Sequence, residues 1–321
     1  MNLQTFIERA DALSNAHKPF IFLLDFELEH PVLWEPHEVD AKELLYSING
    51  FSNAVPRAVI SPAITFSPPS PFTYKAGFDL VMNQLQAGNT FLVNLTAKSK
   101  VDLNLPLHEL FFAVQAPYKC WWQNRFLFFS PECFVKVCNG TLHAYPMKGT
   151  IDATIPHAAS TILANEKEKA EHITIVDLIR NDLAQVATHV TVARFRYLQQ
   201  INTTRHSILQ VSSEITGKVL PEYKSNIGSL LAAMLPAGSV SGAPKNKTTT
   251  IIRQAEGEPR GYYTGVLGYF DGHNLDCGVN IRYIEQVGTN YFYRSGGGVT
   301  ARSNWQDEYE EVIQKIYVPL S

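Results

Sequence analysis

The chain has 321 residues, room for one large domain or two ordinary ones. Apolar residues make up 45% and charged residues 18%, with 11% aromatic, which supplies a large core and excludes a disordered chain, a coiled coil and a collagen-like repeat. Lys and Arg number 27 against 30 Asp and Glu, a net charge of −3, so the basic excess of a nucleic-acid binder is missing and no nucleic-acid partner is expected.

At the N-terminus no basic stretch precedes an apolar run. The best apolar run, Phe20 to Leu24, stops at Asp25 and is too short to span a bilayer, so a cytoplasmic protein with no membrane partner is expected. Cys120, Cys133, Cys138 and Cys277 form no CxxC pair, which predicts free thiols and gives little support for zinc. Short apolar stretches and turn signals fill residues 1–72, a strand-rich N-terminal segment expected to pack on the same fold as a catalytic region, 73–321. The proline-rich SPPSPF (Ser67 to Phe72) marks the boundary.

A helix is predicted from Tyr74 to Ala87, closed by Gly88-Asn89. Phe91 to Val101 alternates as a strand, and Asn139-Gly140 reads as the type I′ turn of a hairpin. Asn165 to Ala187 carries a helical stripe of Ile173, Val176, Ile179 and Leu183. The loop PAGSVSGAPK leads into a helix over Lys245–Ala255. A strand meander follows, TGVLGYF, LDCGVNIRYIEQ and YFYRSGGG, with turns at Asp271-Gly272 and Gly288. A last helix is expected from Trp305 to Tyr317. Strand and helix blocks alternate without βαβ regularity, which predicts an α+β fold with antiparallel sheets.

Three constellations carry chemistry. Extending the hairpin outward from Asn139-Gly140 brings Glu132 and Lys148 to its open end. Strict alternation puts them on opposite faces, so a shared site requires a bulge or a break at Pro146, and the plain alternative is an edge salt bridge. A lysine whose pKa burial lowers is a nucleophile, and a nearby carboxylate can move its proton. Glu308, Glu311 and Lys315 share one face of the last helix. They read alone as a solvated cluster, but with Glu171 on the long helix they could bind Mg²⁺, which needs few carboxylates and keeps waters. GSVSGAPK (Gly238 to Lys245), with Pro244 near N1 of the next helix, offers free amides to a carboxylate or phosphate. SGGG (Ser295 to Gly298) permits close backbone approach. Arg282, on VNIRYI, is either a carboxylate fork or a solvent-facing strand arginine.

In this order SPECF, YPMKGT, EHITIVDLIRND, GSVSGAPK, RGYYTGVLGYF, GVNIR, SGGGV and EYEEVIQK resemble the chorismate-utilising enzymes: anthranilate, aminodeoxychorismate, isochorismate and salicylate synthases. The likeness runs from about Tyr74 to Ile316 and implies two antiparallel β-sheets packed as a sandwich with helices outside. The N-terminus looks shorter than is typical, which puts a tryptophan pocket found in some relatives in doubt. Lys148 falls where aminodeoxychorismate synthases have lysine and anthranilate synthases alanine. Asn94 falls where the water-adding members carry a general-base lysine.

What the resemblance implies is amination of chorismate at C4 to 4-amino-4-deoxychorismate, a step towards 4-aminobenzoate and folate. Lys148 would form a covalent adduct at C2, Glu132 would be the general acid-base, and Mg²⁺ would sit on Glu171, Glu308 and Glu311. Tyr263 and Arg282 match positions holding the enolpyruvyl carboxylate. Ser239, Gly238 and Gly298 match positions that seat the substrate, and Lys315 a lysine near metal and carboxylate. Gln210 stands where relatives have histidine, and His206, a helical turn earlier if that segment is helical, is a candidate substitute; Ser239 stands for a more usual threonine. No cysteine lies in a Gly-x-Cys-x-Gly elbow, so ammonia is expected from a glutaminase subunit or free ammonium. The last helix ends just short of Ser321, so no fused lyase is expected. The runner-up is anthranilate synthase component I, with isochorismate synthase behind it. A catalytically silent chorismate-binding scaffold is the reading of a different class.

Overall fold

The computed structural model describes residues 1–202 and 207–319, with the side chains of 201 and 202 left out. The chain opens on helix α1 (Leu3–Asn15), whose Asn2 side chain caps the Thr5 amide. The strand-rich N-terminal segment therefore begins with a helix that its sequence reading did not include. Strands β1 (Phe20–Leu24), β2 (Val32–Trp34), β3 (Leu44–Ile48), β4 (Phe51–Ser52) and β5 (Ile64–Ser67) follow. Helix α2 (Pro71–Gln86) starts at the Ser70 cap, with Pro71 where its missing N–H costs nothing. Then come β6 (Leu92–Leu103), α3 (Leu107–Ala113), β7 (Tyr118–Trp122), β8 (Phe126–Ser130), β9 (Cys133–Cys138), β10 (Thr141–Ala144) and β11 (Met147–Asp152).

Helices α4 (Ala158–Ala164) and α5 (Glu166–Ala184) precede the long strands β12 (Ala187–Asn202) and β13 (Ser207–Val219). The chain ends with α6 (Ile227–Met234), α7 (Gly238–Ser241), β14 (Gly242–Ala243), α8 (Lys245–Glu256), β15 (Val266–Phe270), β16 (Leu275–Val279), β17 (Tyr283–Val287), β18 (Asn290–Val299) and α9 (Trp305–Gln314). Among the described residues no helix is long and apolar enough to cross a membrane. The four cysteines are free.

Two antiparallel sheets, each nine-stranded among the described residues, make the α+β framework. One runs β11-β13-β10-β9-β16-β15-β1-β2 with β12 on β13; the other runs β14-β6-β18-β17-β8-β7-β3-β4 with β5 on β6. β1 shows how the sheets are layered. Phe20, Phe22 and Leu24 face one way into a core with Phe6, Ala10, Leu230 and Leu231 from α1 and α6. Ile21 and Leu23 face the other way onto Tyr118, Phe128 and Tyr283 between the sheets. All five residues are buried because this strand has protein on both faces. Outside the other sheet, α3 covers Leu127 and Phe129. Helices α2, α8 and α9 cover β6 and the end of β18, around Phe78, Val93, Ile251 and Val312.

Two sequence readings need correction. LDCGVNIRYIEQ is not one strand: β16 belongs to one sheet and β17 to the other. The chain crosses between them at residues 280–282, where Arg282 takes φ +54°. Arg282 therefore sits at the crossing and not on a strand. On α5, Ile173 is 47% exposed. The buried positions are His172, Val176, Asp182 and Leu183; Val176 and Leu183 are as predicted and Ile179 packs on the same core, while His172 takes the place expected for Ile173.

Candidate active site

The hairpin around Asn139-Gly140 forms as predicted: both residues have positive φ and Cys138 pairs with Thr141. The pairing does not extend to Lys148. After Pro146 the chain leaves β9, and β11 pairs with β13 instead. Met147 lies opposite Ser212 and Thr150 opposite Gln210, so one extra residue is accommodated between them. Gly149, at φ +97°, absorbs this bulge, and a Cβ there would sit 3.0 Å from Glu168 Oε2. A bulge re-aims the side chain beside it. Here Lys148 points at α5, where its Nζ is 2.9 Å from Glu171 Oε2; the edge salt bridge to Glu132 is not what forms.

Glu132 lies just before β9, and the Ser239 hydroxyl donates to its Oε1 at 2.7 Å. Burial raises the Glu132 pKa above the ordinary carboxylate value, against the pull of that hydrogen bond, Arg282 and Lys315. GSVSGAPK is no flexible loop. It makes the short helix α7 and then β14, which pairs with β6 at Leu92 and Val93, while Pro244 caps α8 and does not enter its first turn. The Gly238 amide is already taken, donating to Asp182 Oδ2 at 3.0 Å.

Thirteen residues singled out in the sequence line one cleft of about 2550 Å³: Asn94, Glu132, Lys148, Glu171, Gln210, Gly238, Ser239, Tyr263, Arg282, Gly298, Glu308, Glu311 and Lys315. Ligand pockets run to roughly 300–1,000 Å³, so this one has space for substrate and more. Asn94 and Gly298 are directly opposite on β6 and β18. Tyr263 is buried, which pushes its hydroxyl pKa up to about 12. Arg282 stacks over Tyr317 at 4.7 Å and has a buried Nε with no partner. Gln210 is on strand β13, so the helical spacing that would bring His206 beside it does not exist; His206 itself lies outside the described residues.

Charge is concentrated where α5 and α9 meet β11 and β18. Lys315 Nζ reaches Glu311 Oε1 at 2.6 Å and the Gly296 carbonyl at 2.7 Å. Burial opposes charge on Lys148, but Glu311, Glu171 and Glu168 outweigh it and hold its pKa above the ordinary lysine value. The sequence reading of a lysine with a lowered pKa thus fits Lys315 instead, which burial pulls down despite Glu311. Burial and the neighbouring Glu311 and Glu171 push Glu308 up. Glu311 is held down by Lys315 and Lys148, although burial opposes its charge.

Two carboxylate oxygens, Glu308 Oε2 and Glu168 Oε2, are buried with no hydrogen-bond partner. A Cβ at Gly297 would lie 3.2 Å from Glu311 Oε1 and 3.4 Å from Glu308 Oε2, so β18 presents bare backbone beneath them. Among the described residues no three His, Cys, Asp or Glu side chains converge into a ready-made metal cage. Mg²⁺ does not demand one: it takes one or two carboxylates and completes its shell with water and substrate oxygens. Hard oxygen donors, surplus negative charge and unpartnered oxygens fit such an ion.

Sequence reasoning missed Glu168, although it is three residues before Glu171 and so shares its helix face. It also missed the buried Asp182–Lys245 pair, 2.7 Å, which ties α5 to the start of α8. Neither of its partners is near the other in sequence.

A family profile described as chorismate binding enzyme covers residues 38–321. A Haemophilus influenzae protein bearing the name "Uncharacterized PabA-like protein" is 49% identical over 99% of this chain and 97% of its own length. Aminodeoxychorismate synthase component 1 of Bacillus subtilis is 29% identical over 82% of this chain, which spans 59% of that protein. The crystal structure of anthranilate synthase component I from Streptococcus pneumoniae superposes with a TM-score of 0.66 at 27% identity, over 79% of this chain and 58% of that one.

Proposed function

The chain belongs to the chorismate-binding enzyme family, and from that premise we propose that it aminates chorismate at C4, giving 4-amino-4-deoxychorismate through a covalent adduct on Lys148. The observation that carries this reading is a lysine aimed by a bulge into the cleft that also holds a glutamate whose pKa burial raises. Residues 73–321 form the catalytic region in this reading, with 1–72 packed on it. The reaction belongs in the cytoplasm, towards 4-aminobenzoate and folate.

Arg282 and Tyr263 hold the enolpyruvyl carboxylate, the unpartnered guanidinium Nε offering a donor. Asn94, Gln210, Ser239 and the backbone of Gly298 seat the ring against Gly238, whose amide stays with Asp182, and Lys315 lies by its carboxylate. Mg²⁺ on Glu171, Glu308 and Glu311, with Glu168 beside them, would supply Lewis-acid clamping of the ring carboxylate and take up the charge that keeps Lys148 protonated. Lys148 Nζ, after releasing one proton to solvent in the cleft, bonds to C2; the ring double bonds shift and the C4–O bond breaks. Glu132, whose pKa burial raises, gives its proton to the departing hydroxyl, which leaves as water. Ammonia then bonds to C4, the double bonds shift back, and the C2–Nζ bond breaks. Glu132, now a carboxylate, takes the surplus proton of the incoming amine. Ammonia comes from a glutaminase subunit or from free ammonium.

The test is product identification by mass spectrometry after incubation with chorismate, Mg²⁺ and ammonium. An amine-for-hydroxyl product that keeps its enolpyruvyl group, and is lost in Lys148→Ala, is the expected result. Anthranilate and pyruvate would move the chain to the second reading, which its likeness to anthranilate synthase component I supports. Bound but unchanged chorismate would leave a scaffold role.

A further inference from the structure

Lys148 stands on backbone that the sheet does not hold. The register of β11 on β13 breaks between Met147 and Thr150, and Gly149 turns the chain at φ +97°. Regular pairing therefore stops on either side of the nucleophile proposed above. Its carbonyl is met from outside the ladder, by the Nδ1 of His172 at 3.4 Å. His172 is 1% exposed, one residue beyond Glu171 on α5, and its Nε2 is 2.7 Å from the Ser213 hydroxyl on β13.

Hydrogen-bond bookkeeping fixes which way this chain of contacts runs. The Arg196 amide on β12 donates to Ser213 Oγ at 3.0 Å. The Lys148 carbonyl can only accept, so Nδ1 carries the hydrogen that faces it. In the neutral ring Nε2 is then the acceptor nitrogen, and the Ser213 hydroxyl donates its own proton to it. Ser213 is itself anchored: its amide donates to the Pro146 carbonyl at 2.9 Å, just where the chain departs from the hairpin. The route Arg196, Ser213, His172, Lys148 thus ties β12, β13 and α5 to the bulge.

We propose that His172 is a positioning residue for Lys148, locked in its Nδ1–H tautomer by Ser213 so that it fixes the bulged backbone and with it the aim of the amine. The inference rests on the covalent role of Lys148 in the proposed function. His172 touches neither substrate nor reacting atoms; it acts through the lysine's main chain. It also joins the two halves of the Lys148–Glu171 pair, since it follows Glu171 on the helix while holding the strand that carries Lys148.

Steady-state kinetics of chorismate amination test it with two variants that differ in which nitrogen they keep. Asn places an amide N–H where Nδ1 was, so His172→Asn retains the donor to the carbonyl. Gln mimics Nε2 and loses Nδ1. The expected result is that His172→Gln lowers kcat by about 10–100-fold, the scale set by misplacing a reacting group by about an ångström, while KM for chorismate stays within about twofold. His172→Asn recovers most of the loss. Ser213→Ala, which frees the tautomer without touching the ring, falls between them and carries the test if His172→Gln does not fold. Equal kcat in His172→Gln, Ser213→Ala and the parent chain, with Lys148→Ala inactive, would overturn the positioning role and leave the function standing. Equal losses in His172→Gln and His172→Asn would overturn it too, as the mark of a packing role. A parent chain that makes no C4-aminated product, or a Lys148→Ala variant that makes as much, overturns both readings together.

Discussion

Arg260 and its surroundings form one charged cluster of this molecule; the carboxylates and lysines between α5 and α9 form another. Around Arg260 every need is met. Its guanidinium reaches Glu256 through two nitrogens, at 2.9 and 2.6 Å, and donates to the carbonyls of Val240 and Asn94. Glu256 Oε1 also accepts from the Thr96 amide and hydroxyl. In the other cluster, Glu168 and Glu308 each leave a buried oxygen without a donor, and Glu308 holds its proton more tightly than usual. The first cluster is finished by the fold and braces β6 against α8. The second is left with unmet oxygens by the described residues. Buried ion pairs therefore mark a site by what they lack, not by their number.

The contrast can be broken at several points. The largest effect is expected from Lys148→Ala, which should abolish C4 amination in the ammonium-dependent assay while chorismate binding by calorimetry survives. Glu132→Gln should lower kcat by about 10²–10⁴-fold, the usual weight of general acid-base catalysis. The same substitution should stabilise the protein. A carboxyl whose folded pKa is raised favours the fold below its ordinary pKa of 4.5 and loses that contribution as pH rises through the folded value. The melting temperature of Glu132→Gln should therefore exceed the parent's at neutral pH, and the gap should close below about pH 4.5.

In the finished cluster, Arg260→Leu strands the Glu256 carboxylate and should cost about 3–5 kcal/mol in urea unfolding. A cost below about 1 kcal/mol would show that the contrast between the clusters is false. Mg²⁺ near a hundredfold above its dissociation constant should add about 2.7 kcal/mol to the parent chain. Glu308→Gln should lose most of that gain, and by removing a strained charge it should be no less stable than the parent without metal. The smallest effect is expected at Lys75–Asp79, an exposed i,i+4 pair on α2, where Lys75→Ala should change stability by less than about 1 kcal/mol.

Local rules read well where the local chain decides. Asn139-Gly140 made its turn, and the long helix began at the Asn165 cap that accepts from the Glu168 amide. They failed where a distant partner decides. Alternation in LDCGVNIRYIEQ is the same whether its halves share a sheet or lie in two. Nothing near Met147 announces that β13, some sixty residues on, will take β11 from the hairpin. The stripe on α5 held at Val176, Ile179 and Leu183 and failed at its first position, because His172 is buried with contacts to Ser213 and Lys148 while Ile173 faces outward. The residues that line the cleft were legible because motif resemblance is indifferent to fold. Glu168 and His172 were not, because their contacts arise only when α5 is laid against the bulge.

β1 pairs with β15, Phe20 opposite Phe270, one strand in from the β2 edge of its sheet. On a ribosome that pairing imposes an order of events. The strand leaves the exit tunnel early, with both faces apolar, and must wait for some 250 further residues before its neighbour exists. Until then its edge and its two faces are open to any other strand, and closing so long a loop is slow. Helix α1 is the early cover available for one face, and its partner α6 also arrives late. A chaperone that holds apolar nascent segments should therefore be found on this chain at residues 20–24, and should be released only once residues 266–270 have emerged.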